Sequence, residues 1–249
     1  MMVVSLLLLF CQLAGPARQE HPPYRAPAAF VQHRPAADSL IYRRDRELMF
    51  RVRHFDRQGK RVDTDTLHYT TSPAVFSNPA YGQTQSVWKL KDELLENISG
   101  VTENDTVVWI HPYRFGTYRI LELSPFPMVK YPLQTGSRWQ WGVTAPGSAY
   151  GSKAWVEWEG KKTFLSTYCV VGRQTVDTPL GKLDCYEVRA VCKSDFGETR
   201  LRLYFNRRYG FVRMHYDNIN GTAMHLELIE ERFKSPFLDV GKRMRGTPK

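Results

Sequence analysis

No apolar stretch in this chain is long enough to cross a bilayer as a helix, which takes about 20 residues; the run Val3 to Phe10 falls well short. Also missing is any catalytic or metal-binding constellation of familiar spacing. There is no Gly-x-Ser-x-Gly turn, no Cys-x2-Cys pair and no glycine-rich phosphate loop, which excludes the common hydrolase, metal and nucleotide-binding designs. His54, His68 and His111 stand without His-x3-His or carboxylate spacing, and no cofactor or metal is implied. Cysteine is scarce, with 4 in 249 residues. An enzyme would need a site assembled from distant residues, and nothing in the sequence points to one.

What is present begins with an export signal. Residues 1–17 combine the apolar run with Ala14, Gly15 and Ala17, small residues suited to a cleavage site, although no Lys or Arg precedes the run. Leu8-Leu9-Phe10-Cys11 also has the apolar part of a bacterial lipoprotein box, in which Cys11 would carry lipid. Phe10 stands where a small residue is usual, which favours plain cleavage after Ala17. Membrane association is expected only if Cys11 is lipidated. Residues 18–44, rich in Pro, Ala and Arg, read as a tether, and the basic tail 233–249 has no period and reads as disordered. The formal charge of +10 and pI near 9.5 suit an acidic partner, or only solubility. Export argues against nucleic acid.

With 6 Trp, 13 Tyr and 13 Phe, the composition favours strands, whose pleated surfaces accommodate flat rings. Apolar alternation predicts strands at Glu47 to Phe55, Val107 to His111, Thr117 to Leu123, Arg138 to Val143, Ala154 to Trp158 and Thr163 to Val176. Four more follow at Leu183 to Cys192, Thr199 to Phe205, Phe211 to Tyr216 and Thr222 to Ile229. Leu90, Leu94, Leu95 and Ile98 have helical spacing, so Lys89 to Ile98 reads either as a short helix or as a pair of strands. The prolines of Ser124-Pro125-Phe126-Pro127 cannot donate to a central ladder. This join predicts a boundary between an N-terminal β-rich part, 45–125, and C-terminal antiparallel hairpins, 126–232. The fold class is mainly β: a curved antiparallel sheet of sequential hairpins forming an open or half barrel, with few short helices.

The last hairpin specifies its own register. If Ile219-Asn220-Gly221 is a three-residue loop with Gly221 left-handed, Asn218 pairs with Thr222. Val212, Met214 and Tyr216 then face Leu228, Leu226 and Met224, while Arg213 meets Glu227 and His215 meets His225. One face is wholly apolar and the other charged, which a two-residue loop would not achieve. Pairing symmetric about Leu180 in the hairpin at Thr178-Pro179-Leu180-Gly181-Lys182 places Cys169 opposite Val191, beside Cys192, and Cys185 opposite Thr175. A Cys169–Cys192 disulfide would follow from a one-residue shift, and in an oxidising compartment one pair and one free thiol is the simplest outcome.

The candidate ligand-binding residues are Arg200, Arg202 and Arg213, whose guanidinium forks match phosphate or carboxylate, and Trp139 and Trp141, which share a strand face and suit sugar stacking. The alternatives are a solvated face for the arginines and a core position for the tryptophans. His215 and His225 with Asp217 make too few ligands for a structural zinc site.

TPLGKLDCYEV at Thr178 to Val188, YFNRRYGFV at Tyr204 to Val212, and WIHPYR followed by ILELSPFPMVKYPL between Trp109 and Leu133 resemble uncharacterised exported proteins and lipoproteins of Bacteroidota-type bacteria, over roughly residues 105 to 231. More loosely the order of turns and strands is similar to periplasmic open β-barrels of unknown function and the half-barrel carriers of lipoprotein sorting. The resemblance implies a location in the periplasm or at the outer-membrane surface, and supplies no catalytic residues. Asp38-Ser39-Leu40, Asp65-Thr66-Leu67 and Asp105-Thr106-Val107 look like the O-glycan sites of such bacteria. In a eukaryotic source the sequons at Asn97, Asn104 and Asn220 would matter instead. The expected function is a non-enzymatic envelope protein whose curved sheet encloses an amphipathic or acidic ligand, lipid or glycan. Its alternatives are an interaction subunit of a surface or secretion assembly and, last, an enzyme acting on envelope polymers.

Overall fold

The computed structural model describes residues 40–43, 45–75 and 83–233. The export signal with Cys11, most of the tether and the tail past Phe233 lie outside the described residues. Strands β1 (Arg46–Phe55), β2 (Arg61–Val75), β3 (Thr84–Leu90), β4 (Glu96–Glu103), β5 (Val107–Ile110) and β6 (Met128–Lys130) come before β7 (Arg138–Pro146) and β8 (Lys161–Thr178). The chain ends with β9 (Gly181–Ser194), β10 (Gly197–Asn206), β11 (Gly210–Asp217) and β12 (Ala223–Phe233). They form one antiparallel sheet in the order β6-β5-β4-β3-β2-β1-β12-β11-β10-β9-β8-β7. Each strand pairs with its neighbour in sequence except where β1 meets β12, and that pairing brings the sheet nearly to a closed barrel, with one unsealed seam between β6 and β7. The Ser124-Pro125-Phe126-Pro127 join stands between strands of this one sheet. It lies on the path into edge strand β6, where missing N–H donors disturb no central ladder.

Alternation along the strands carries large apolar side chains inward. Leu201, Leu203 and Phe205 of β10, Met214 and Tyr216 of β11, and Leu226 and Leu228 of β12 bury in one cluster with Phe50, Val52, Leu67, Tyr69 and Trp88. Tyr69 meets Trp88 at 4.5 Å between ring centres, and Phe50 meets it at 5.6 Å. Among the described residues, these side chains pack on one another in the space expected to enclose a ligand. At roughly 1.5–3 kcal/mol for each large apolar side chain removed from water, this filling is the main source of stability.

Two local expectations are corrected and one open choice is decided. Thr117 to Leu123 is a 3-10 helix, Gly116–Leu123, in which Ile120, Leu121, Glu122 and Leu123 bury in succession, so burial does not follow a period of two. The segment caps one end of the barrel: Tyr118 donates to Asp65 Oδ2 (2.6 Å), Thr199 Oγ1 donates to the Leu123 carbonyl (2.9 Å), and Tyr168 donates to the Phe126 carbonyl (3.0 Å). The last two bonds satisfy backbone carbonyls that a strand would have paired in a ladder. Ala154 to Trp158 is irregular, with one isolated bridge between Ser152 and Val156, after the one-turn helix Gly147–Tyr150. Lys89 to Ile98 resolves into the β3–β4 hairpin. Its leucine spacing did not mark an apolar helix face, since Leu94 is 94% exposed at the turn.

The final hairpin takes the register its turn and pattern demand. Arg213 pairs with Glu227, Met214 with Leu226, His215 with His225 and Tyr216 with Met224, while the Asn218 N–H donates to the Thr222 carbonyl at 2.8 Å and Gly221 holds φ +80°. The cysteine register differs. The turn leaves only Pro179 and Leu180 unpaired, and a bulge between Val170 and Gly172 adds a further slip, so Cys169 faces Arg189, Cys192 faces Ser166 and Cys185 faces Gln174. Cys192 is buried while Cys169, on the opposite face, is half-buried, and all three thiols are free. The expected Cys169–Cys192 bridge is absent because the two side chains lie on different faces of the sheet.

Candidate functional site

The residues singled out from sequence do not meet in one place. Arg200, Arg202 and Arg213 lie on the outer wall, whereas Trp139 and Trp141 lie against the inside. Trp139 stacks flat on Tyr168 at 5.3 Å, and Trp141 packs on Trp109 (5.7 Å) and Phe126 (5.0 Å) near the seam, so both tryptophans serve the core. Arg200 is engaged by Glu198 (2.7 Å), and Arg213 grips Glu227 through two nitrogens (3.1 and 2.7 Å). Burial opposes ionisation of Glu227, but Arg213 and Arg53 outweigh it and hold the carboxyl below its usual range.

Between these ion pairs the rings of His215 and His225 stack at 4.1 Å. Arg202 donates to His215 Nδ1 (3.2 Å), which requires that nitrogen to be an unprotonated acceptor. Burial first, then His225, Arg202 and Arg213, push the His215 pKa down to about 4, against a weaker upward pull from Glu227. His225 is lowered by burial, Arg202 and Arg53, with Asp217 opposing. A depressed imidazole favours folding above its unfolded pKa. Stability should therefore be fully present above pH 6.5 and decline as the pH falls toward about 4. The loss expected from His215 is about 2 kcal/mol, less than the bare shift implies because the ring is partly solvent-screened. Urea unfolding of wild type and His215→Asn/His225→Asn across that window checks this, the variant losing the slope; parallel curves would refute it.

The fold also brings histidines to acids, which the sequence spacing hid. His54 Nε2 lies 2.8 Å from Asp65 Oδ2, His68 Nδ1 lies 3.0 Å from Glu47 Oε1, and His111 Nε2 lies 3.4 Å from Glu122 Oε2. Among the described residues no serine hydroxyl or cysteine thiol is hydrogen-bonded to these imidazoles, and neither recess described below includes them. Burial and the bond to Asp65 raise the Tyr118 pKa, keeping its hydroxyl a donor that ties the 3-10 helix to β2.

A second group of charged residues lies at the other end of the barrel, where residues 40–43 lead into β1. Glu103, at the end of β4, accepts the Ile41 N–H (2.7 Å) and the Tyr42 N–H (2.9 Å), one on each carboxylate oxygen. Burial raises its pKa, and the two amides and Arg46 pull the other way. The Tyr42 ring plugs the core against Tyr69 (5.4 Å) and Phe211 (6.4 Å), and its hydroxyl accepts the Phe211 N–H (3.2 Å). Gly210, at φ +73°, is required here, since a Cβ would collide with the Tyr42 hydroxyl. Arg46 is 6% exposed. Its Nε lies 2.6 Å from Glu231 Oε1, and its Nη1 donates to the carbonyls of Ile41 (2.8 Å) and Arg208 (2.7 Å).

The β10–β11 turn completes the rim. Asn206 Oδ1 accepts the N–H groups of Arg208 (2.9 Å) and Tyr209 (3.1 Å), a local bond that shapes the turn without a ladder. Arg207 then lies over the rings of Tyr131 (5.7 Å) and Tyr186 (6.0 Å), and Arg208 over Tyr209 (4.9 Å). A recess of about 210 Å³ results, lined by Arg43, Arg46, Arg207, Arg208, Glu231 and Phe233 among others. A shallower recess of about 490 Å³ beside Asp105, Tyr131 and Pro132 shares Arg207. Arg43 pairs with Asp45 and Arg46 with Glu231, while among the described residues neither Arg207 nor Arg208 has a carboxylate within ion-pair distance. Arg207 and Arg208 fall between the candidates Arg202 and Arg213 in the sequence. The turn residues Asn206 and Gly210 were the signal that could have separated them from the outer-wall arginines.

Of the glycan motifs, Thr66 is half-buried within β2, Thr106 is exposed, and Ser39 lies outside the described residues. The Asn97 and Asn104 side chains are buried, and Asn104 Oδ1 caps Thr106 and Val107, so neither presents an accessible sequon.

No family model and no curated protein matches the chain. Among solved structures it is similar to a protein of YmcC-like fold, described as exported, from Bacteroides fragilis, at 11% identity and TM-score 0.40, covering 76% of this chain and 96% of that one. A protein from Parabacteroides distasonis described as a lipoprotein matches at 10% identity and TM-score 0.44, covering 77% and 96%. The hypothetical lipoprotein YmcC of Escherichia coli matches at 11% identity and TM-score 0.38, covering 79% and 89%.

Proposed function

We propose that the protein is an exported, non-enzymatic barrel that binds an acidic ligand, lipid or glycan, at the arginine-lined recess beside the tether rather than inside the barrel. The observation that carries this reading is the pairing of a packed interior with a rim where four arginines face Glu231 and two of them have no carboxylate partner among the described residues. The residues 1–17 support export, since a short apolar run with small residues after it suits cleavage rather than spanning. Guanidinium groups stacked on tyrosines are held in place before a ligand arrives, which lowers the ordering cost of binding.

The test is binding of the full chain to phosphatidylcholine vesicles with and without phosphatidylserine, and to polygalacturonate against neutral dextran. Binding is expected only to the acidic member of a pair. Arg207→Gln/Arg208→Gln should weaken it about tenfold or more, while Arg200→Gln/Arg202→Gln on the outer wall leaves it nearly unchanged. Binding that ignores charge, or that fails with the outer-wall variant instead, would overturn the assignment.

A further inference from the structure

Arg46 has more hydrogen-bonding capacity than its surroundings use. Its Nη1 donates to two carbonyls, but Nη2 and also Nε, which lies 2.6 Å from Glu231 Oε1 as an ion pair only, are buried with no hydrogen-bond partner, in a side chain that lines the 210 Å³ recess. A buried, unpartnered guanidinium N–H is costly, on the order of 1–3 kcal/mol or more for a charged group, and such a group calls for an acceptor. The tie from Nη1 to the Arg208 carbonyl sets that nitrogen beside the turn carrying Arg207 and Arg208. The recess volume corresponds to about seven waters, enough for a small tetrahedral anion and the first atoms bonded to it.

We propose that Arg46, Arg207 and Arg208 form the seat of a phosphate monoester; this rests on the acidic-ligand reading above and specifies its chemistry. The choice of phosphate follows from counting charges and acceptors. Four lining arginines against Glu231 leave three net positive charges, or two once Asp45 is set against Arg43. A carboxylate brings one charge and two oxygens. A phosphate monoester brings nearly two charges and three terminal oxygens, one for each of the three guanidiniums. The tyrosines under Arg207 and Arg208 hold those guanidinium planes, leaving their N–H edges available to the anion.

Such a group could be a lipid headgroup or a portion of a soluble sugar or glycerol phosphate, and the two sources share one recognition chemistry. Calorimetry on the full chain with glycerol 3-phosphate, with glycerate as the carboxylate control, reads the soluble source. Flotation with phosphatidylcholine vesicles containing phosphatidic acid or phosphatidylserine reads the lipid source. Glycerol 3-phosphate or phosphatidic acid should be preferred over its control by about tenfold, and Arg207→Gln and Arg208→Gln should each remove most of that preference. Both positions are exposed, and unchanged thermal midpoints would confirm that the variants fold. Arg46→Lys, which keeps the charge but not the fork, should reduce the preference while retaining affinity for acidic vesicles in general. Equal binding of the phosphate and carboxylate probes, with the arginine dependence intact, would overturn the phosphate seat and leave the acidic-ligand reading standing. No binding to any acidic probe would remove both.

Discussion

Trp88→Ala is expected to lower the unfolding free energy by about 3–5 kcal/mol, the range for an aromatic ring removed from a core that cannot collapse around the gap. Trp88 is 1% exposed, its ring is held between Tyr69 and Phe50, and its Nε1 donates to the His111 carbonyl at 2.8 Å. The substitution thus opens a cavity and strands a carbonyl at the point where the chain leaves β5 for the 3-10 helix. Trp88→Phe keeps most of the ring and loses the bond, so roughly 1–2 kcal/mol is expected from the hydrogen bond. Leu94→Ala, at an exposed turn position, should stay within about 0.5 kcal/mol. Urea unfolding of the three variants separates these outcomes. A Trp88→Ala change as small as the Leu94→Ala change would mean that the barrel interior is not packed as described.

Arg46→Ala should cost a similar amount, about 3–5 kcal/mol, for an electrostatic reason. The side chains of Arg46 and Glu231 are 5% and 11% exposed, so removing the guanidinium leaves a carboxylate with little water to solvate it. Two carbonyls, of Ile41 and Arg208, lose their donor at the same time. Arg46→Met/Glu231→Gln, which removes both charges, is expected to recover a large share of the loss, and that recovery distinguishes stranded charge from lost packing. Arg46→Ala should also loosen the tether end. Hydrogen exchange at the Ile41 and Tyr42 amides, bonded to Glu103, should accelerate in Arg46→Ala more than exchange in β10. Unchanged protection there would show that Arg46 does not anchor the segment.

Features set by neighbours in sequence were legible before any coordinates. The β11–β12 register followed from Asn220-Gly221 and from two faces of opposite character, because a hairpin brings together residues only a few positions apart. The same reasoning failed for Cys169 and Cys192, since a bulge at Val171 leaves little trace in the alternation yet shifts every pairing beyond it. Thr117 to Leu123 misled because Tyr118 and Ile120 alternate with Thr117 and Arg119, whereas Ile120 to Leu123 bury in succession. The arginines illustrate the same limit: Arg202 and Arg208 are equally basic in sequence, but one lies on a wall beside His215 and the other at a recess beside Arg46.

The sequence by itself determined that the chain forms antiparallel hairpins, which face of the last one is buried, and that no familiar catalytic constellation is present, because alternation and turn chemistry act over a few residues. Only the tertiary structure decided which described side chains share one core and that Arg46, Arg207 and Arg208 line one recess. The physical reason is the pairing of β1 with β12: it joins the first strand of the chain to the last in the middle of the sheet, setting Arg46 against Glu231 and the Arg208 carbonyl and bringing Tyr42 under Gly210. A contact across most of the chain depends on the whole sheet curving back on itself, and no local period encodes it.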